Sequence, residues 1–170
     1  MSKKNNTERN KMNIFVLDRN PMVCAMYHCD KHVPKMILET AQMMCTVANE
    51  LGVPDVPYKS THPKHPSTLW IGKSWSNWIW ARQLASALNF EYKRRFNHEV
   101  NHKSWDVIDN LRLTDGTYRL DGIGLTPFAQ AMPDEYKHED AVVAYRNYYK
   151  HGKADILTYK YSNKPTFLGE

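Results

Sequence analysis

The sequence is poor in the features that mark membrane, secreted and repetitive proteins. No apolar run approaches the roughly 20 residues that span a bilayer, and the opening MSKKNNTERNK is polar and basic rather than signal-like. Cysteine is scarce. Cys24, Cys29 and Cys45 are an odd set of three without CxxC spacing, which excludes a disulfide framework and points to reduced thiols in a cytosol. Seven glycines and nine prolines in 170 residues exclude collagen-like and low-complexity chains. No internal repeat is visible. Acidic residues are the minority charge, 18 against 23 Lys and Arg, for a net charge of +5. These absences leave a cytoplasmic single-domain protein, expected to be monomeric and without a membrane partner.

What is present is a core's worth of apolar side chains, 42% of the chain, with 12% aromatic residues. Ten Tyr, five Trp and eight His are an unusual share. Rings interleaved with cations suit stacking on bases beside phosphate contacts, and they equally suit a tyrosine-rich core under a basic surface.

Residues 1–11 carry no periodicity and are expected to form a flexible leader, followed by one helical domain over 12–170. Met12 is an alternative start. Asn13-Ile14-Phe15-Val16-Leu17 is a short apolar run expected to be a strand or an extended entry into the core. Asn20-Pro21 opens a helix by capping and proline placement, and helical periodicity continues to Leu51, where Gly52 and Pro54 stop it. Pro34 is expected to kink this stretch or divide it, with the second helix starting near residue 34. Residues 53–66 hold four prolines and two histidines and read as loop. Ser67 is placed to cap the next helix, Gly72 or Ser74 to break it, and a long aromatic helix then runs through Phe96. Lys103–Leu111 fits a shorter helix. Thr114–Thr126, with three glycines, reads as loop or hairpin. Asp140 caps a last helix through Lys150, ended by Gly152, and Ile156–Tyr161 is extended or one further turn. The fold class expected is mainly α.

At about 100° per residue, His28, His32, Lys35, Glu39 and Gln42 fall within about 80° of one another. Val33, Ile37, Ala41, Met44, Ala48 and Leu51 cluster on the opposite, core-facing side. A carboxylate flanked by ammonium and imidazole groups is what acid–base chemistry requires. Glu39 can take or give a proton, and Lys35 one turn away can hold an anion or act as an amine nucleophile. The same pattern also describes an ordinary solvated face with a Lys-to-Glu pair. Three histidine pairs, His28/His32, His62/His65 and His98/His102, have ligand-like spacing. No cysteine pair accompanies them and HCDKH lacks the glutamate of a zinc-protease helix, so neither a metal nor another cofactor is expected. Lys93-Arg94-Arg95 ends the aromatic helix, and Tyr145-Arg146-Asn147-Tyr148-Tyr149-Lys150 forms a second aromatic–basic cluster. Both suit phosphate contacts.

Asp30-Lys31-His32-Val33-Pro34-Lys35 followed by Glu39-Thr40-Ala41-Gln42 resembles the D-[RK]-x-x-x-K-x-x-x-E-x-x-Q signature of pyrimidine-dimer DNA glycosylases, the family of phage endonuclease V. His65-Pro66 with Trp70, and the helix ending Glu91-Tyr92-Lys93-Arg94-Arg95, are similar to that family's later segments, so the likeness covers residues 14–105. AYRNYYKHGK is similar in character to the family's aromatic–basic end. The chain also resembles a group of phage proteins with MNIF-x-LD and DKH-x-x-KM, which would place it in the cytoplasm of a host cell.

The resemblance implies a small helical DNA-binding enzyme that flips a nucleotide out of a duplex and cleaves its N-glycosidic bond through an amine nucleophile. Glu39 matches the family's catalytic glutamate, with Lys35, Lys31 and His32 as the basic groups around it. His28, Gln42, His65, Lys93, Arg94, Arg95, Arg146, Tyr149 and Lys150 are the expected DNA contacts. The family's amine is an α-amine exposed by removal of the initiator Met. Here the expected amine is that of Lys35 first and Lys31 second, with Ser2 the remaining candidate. A base-modifying transferase using the same pocket, and a non-catalytic factor that docks a host protein or nucleotide through the polar stripe, are the alternative readings.

Overall fold

The computed structural model describes residues 12–111, 113 and 118–169, so the expected leader and residues 114–117 of the glycine-bearing loop lie outside the described residues. Six α-helices, and no strand among the described residues, make up its regular structure. Helix α1 spans Pro21–Tyr27; the Asn20 side chain accepts the N–H groups of Met22 and Val23, and Pro21 takes a first-turn position that needs no donor. The chain then turns through His28–Lys31 and starts again as α2, His32–Glu50. The stretch is therefore divided rather than kinked, and Pro34 lies in the first turn of α2, where the missing N–H costs nothing. Gly52, at φ 84°, closes α2 in the left-handed conformation that favours glycine.

Helix α3 covers Pro66–Lys73, and its cap is His65, whose Nδ1 accepts the Ser67 N–H at 3.0 Å. Ser67, expected in that role, is the buried second residue of the helix. Ser74 separates α3 from α4, Trp75–Phe96, and accepts the Asn77 N–H to cap it. Helix α5 spans Lys103–Asn110. Asp140 caps α6, Ala141–Asn147, which continues as a single π turn, Tyr148–Gly152.

Helices α2 and α4 form the centre. They pack on each other, α3 and α5 lean on both, and α1 lies along α4. Met36, Ile37, Met43 and Met44 of α2 meet Leu84 and Leu88 of α4 in one core. Residues 12–17 run extended and fully buried through this core, pairing with no strand among the described residues. Their backbone groups are met by side chains instead: the Asn13 N–H donates to Glu39 Oε1 at 3.1 Å, the Ile14 N–H donates to Asn13 Oδ1 at 2.8 Å, and Arg146 Nε donates to the Leu17 carbonyl at 2.8 Å. This thread covers the side of α2 opposite the helix core. As a result α2 is buried on nearly every face, Glu39 and His32 included.

Candidate functional site

The covered face of α2 opens into a cleft of about 640 Å³. His32, Lys35 and Glu39 of α2 form its floor. Met12, Asn13 and Phe15 of the buried thread, His65 at the start of α3, and Tyr136, Tyr148 and Lys153 of the C-terminal third close it round. The volume falls within the range of small-molecule and cofactor pockets.

Glu39 is the chemical centre. It is 7% exposed, and its Oε1 accepts the backbone N–H of Asn13 at 3.1 Å. Oε2 is buried without a hydrogen-bond partner among the described residues. Burial pushes the carboxyl up to about 7, against the opposing pull of the Lys35 ammonium, the Asn13 N–H and the Lys153 ammonium. A carboxyl poised at that value gives or takes a proton with little cost at neutral pH.

His32 lies about two turns earlier, with its Nδ1 2.7 Å from the Tyr149 hydroxyl and its ring stacked on Phe15 at 4.5 Å between centroids. Burial, reinforced by His28 and by the ammonium groups of Lys35, Lys153 and Lys31, pushes the imidazole down to about 2. It is therefore neutral at physiological pH, a hydrogen-bonding group and not a cation. The Tyr149 hydroxyl also accepts the Cys29 N–H at 3.1 Å, which fixes the His28–Lys31 turn against the π turn. Above His32, Tyr136, Tyr148 and Phe15 form a ladder of rings, with the Lys153 ammonium 5.2 Å from the Tyr148 centroid and 6.0 Å from that of Phe15. Gly152 makes this wall possible: a Cβ there would stand 2.5 Å from the Tyr148 ring.

The structure brings together Glu39, Lys35, His32 and His65 of the residues singled out in the sequence. Lys31 is exposed and Gln42 half-buried, and neither lines the cleft. Three of the expected DNA contacts lie in the interior. His28 is fully buried, its Nδ1 on the Cys24 carbonyl at 2.7 Å, and burial pushes it down to about 4. Tyr149 is fully buried in the network just described.

Arg95 is the third. Its guanidinium is bonded to Glu91, Asp30 and the carbonyls of His28 and Met26, so it fastens the α1–α2 turn to α4 and presents nothing to a phosphate. Arg146 is half-buried and bonded to Asp18 and the Leu17 carbonyl. Lys93, Arg94 and Lys150 remain wholly or partly exposed.

Asn13, Phe15, Tyr136, Tyr148 and Lys153 are the cleft residues that the sequence reading passed over. Tyr148 and Lys153 belong to the YYKHGK cluster that drew attention for other side chains. Asn13 and Phe15 sit in the apolar run that read only as core. No group of three or more His, Cys, Asp or Glu side chains among the described residues is arranged to hold a metal ion. No described helix is long and apolar enough to cross a membrane. Comparison with protein-family models, with curated proteins and with solved structures gives no match to this chain.

Proposed function

We propose that the Glu39 cleft is the active site of a DNA-binding enzyme of the glycosylase/lyase type, acting on a nucleotide flipped out of a duplex. The observation that carries the reading is Glu39 itself: a buried carboxyl raised to about 7, with one oxygen unpartnered, in a cleft that also holds the amines of Lys35 and Lys153. A structural glutamate would be paired or turned to water.

In the proposed reaction a lysine ammonium gives one proton to water, and the freed lone pair of the amine forms a bond to the sugar C1′. The C1′–N glycosidic bond breaks, and the base leaves with the electron pair and takes up from water the proton that the ammonium released. Glu39 takes a proton from the attacking nitrogen and returns it to the ring oxygen as the sugar opens to an imine. Lys35 is the first candidate for that amine, since it stands one helical turn from Glu39. Lys153 replaces Lys31 as the second, because it lines the cleft and Lys31 does not. The aromatic wall of Tyr136 and Tyr148 supplies a face against which a flipped base stacks.

Borohydride trapping on duplex DNA with an abasic site tests the reading. The wild-type protein is expected to form a covalent adduct, Glu39→Gln to form it roughly 10²-fold more slowly, and Lys35→Ala to abolish it, with peptide mapping placing the adduct on Lys35. An adduct mapped to Lys153 keeps the reaction and moves the nucleophile. No adduct with any protein overturns the lyase chemistry. Mass spectrometry of nucleosides from treated DNA then distinguishes base modification from binding alone.

A further inference from the structure

A second groove, of about 580 Å³, lies between the end of α4, the α1 residues Met26 and Tyr27, and the C-terminal segment 160–166. Arg94, Lys160 and Lys164 line it together with Tyr161, Ser162 and Thr166, and no carboxylate is among its lining residues. The segment that forms its outer wall is held in place. The Lys160 N–H donates to Asp30 Oδ2 at 2.7 Å, Arg94 donates to the Tyr161 carbonyl at 3.2 Å, and the Tyr159 hydroxyl donates to the Tyr27 carbonyl. Pro165 within the segment and Leu168 just beyond it are buried.

The charges in this groove are unequal in availability. Arg94 is bonded to Glu91, which is buried and shared with Arg95, so its charge is partly answered. Lys160 and Lys164 have no carboxylate within salt-bridge distance among the described residues, and both are exposed. Tyr161 is half exposed, with the Lys160 ammonium 5.4 Å from its ring centroid. Cations on a fixed wall, hydroxyl groups between them and an accessible ring answer the chemistry of a phosphodiester backbone with a base beside it.

We infer that this groove binds the backbone phosphates of the nucleic acid, with Lys160 and Lys164 as the contacting cations, Arg94 bracing the wall and Tyr161 stacking on an adjoining nucleotide. The inference takes the identity of the polyanion from the proposed function and assigns its grip to a surface apart from the Glu39 cleft. It moves the phosphate contacts from the buried Arg95 and the bonded Arg146 to residues near the C-terminus.

Fluorescence anisotropy with a labelled duplex, at several salt concentrations, tests it in the full-length protein. Lys160→Glu/Lys164→Glu is expected to lower affinity at least tenfold at ~0.1 M salt and to reduce the log–log salt slope by about 2. Lys59→Glu/Lys103→Glu makes the same charge change at exposed positions outside the groove and is expected to have a markedly smaller effect. Tyr161→Ala should weaken binding about fivefold or more with the slope unchanged.

Equal losses in the two double variants would show a diffuse charge effect and overturn the groove. Wild-type affinity in Lys160→Glu/Lys164→Glu would overturn it as well, leaving the active-site reading intact. Retained borohydride trapping by that variant at saturating DNA would separate grip from chemistry, as expected. Binding of anionic phospholipid vesicles in preference to duplex, lost in the same variant, would reassign the groove to a membrane surface and overturn the nucleic-acid inference.

Discussion

Glu39 is a cost to the fold and, in the proposed reaction, the acid–base group. Its carboxyl titrates at about 7 because burial disfavours the charge, whereas its ordinary value is 4.5. The stability linked to its proton is therefore fully present below about pH 4.5 and is lost as pH rises through 7. Above that the folded state carries a poorly solvated charge, at a cost on the order of 3 kcal/mol. Glu39→Gln keeps an acceptor for the Asn13 N–H and removes the charge. Urea unfolding at pH 8 is expected to show the variant more stable than wild type by up to about that amount, with little difference at pH 4.5. Equal stability at both values would place Glu39 in water. Helical periodicity already set Glu39, Lys35 and His32 on one face of α2 and the apolar residues on another. It could not show that the polar face is covered, because the cover comes from residues 12–17 and the C-terminal third, far away in sequence. Lys153 stayed hidden for the same reason: nothing local distinguishes a lysine after Gly152 from a surface one.

At the level of elements, α4 and the α1–α2 turn are joined by a buried ion cluster rather than by apolar packing alone. The Arg95 side chain is fully enclosed, and its bonds to Glu91, Asp30 and two carbonyls satisfy groups that the break between α1 and α2 leaves free. Removing one partner of such a cluster leaves the others charged and unsolvated, which costs about 3–5 kcal/mol. Arg95→Met is expected to lose that much in urea unfolding and to leave the salt slope of DNA binding unchanged. Arg94→Ala, on the exposed side of the same turn of helix, is expected to cost well under 1 kcal/mol. If Arg95→Met reduced the slope while the fold stayed intact, the guanidinium would be a phosphate contact after all.

Element by element, capping chemistry was legible where a single side chain decides it. Asn20 and Asp140 cap as their residue types suggest, and Ser74, expected only as a possible break, caps α4. His65 displaced Ser67 because Pro66 fills the first helical position and leaves the residue before it as the cap. Lys93-Arg94-Arg95 read as one basic patch, yet α4 turns Arg95 inward and Arg94 outward, a difference of 100° that residue type alone does not show.

Across the whole molecule, the buried titratable groups pull stability in opposite directions with pH. His28 and His32 ordinarily titrate at 6.5, and burial lowers them to about 4 and about 2. The unfolded chain then takes up protons that the folded chain refuses, so their contribution is full above 6.5 and is lost as pH falls toward the folded values. Glu39 gains over part of the same range, since its folded form holds a proton between 4.5 and 7. From pH 6.5 to 4.5 His28 and His32 act against Glu39, a difference of one proton that corresponds to a loss of about 1.4 kcal/mol per pH unit, and His65 and His102, which burial also lowers, add to that loss. Glu39→Gln removes the compensating gain, and its stability is expected to fall about twice as steeply. His28→Leu removes one of the losses and leaves Glu39 and His32 nearly balanced, so its curve is expected to be the shallowest of the three, whatever the substitution costs in packing. Urea unfolding of the three proteins at half-unit intervals of pH checks the ordering of the slopes. A His28→Leu slope equal to that of wild type would mean that His28 is protonated in the folded protein, with its Nε2 bonded to a partner that stabilises the charge.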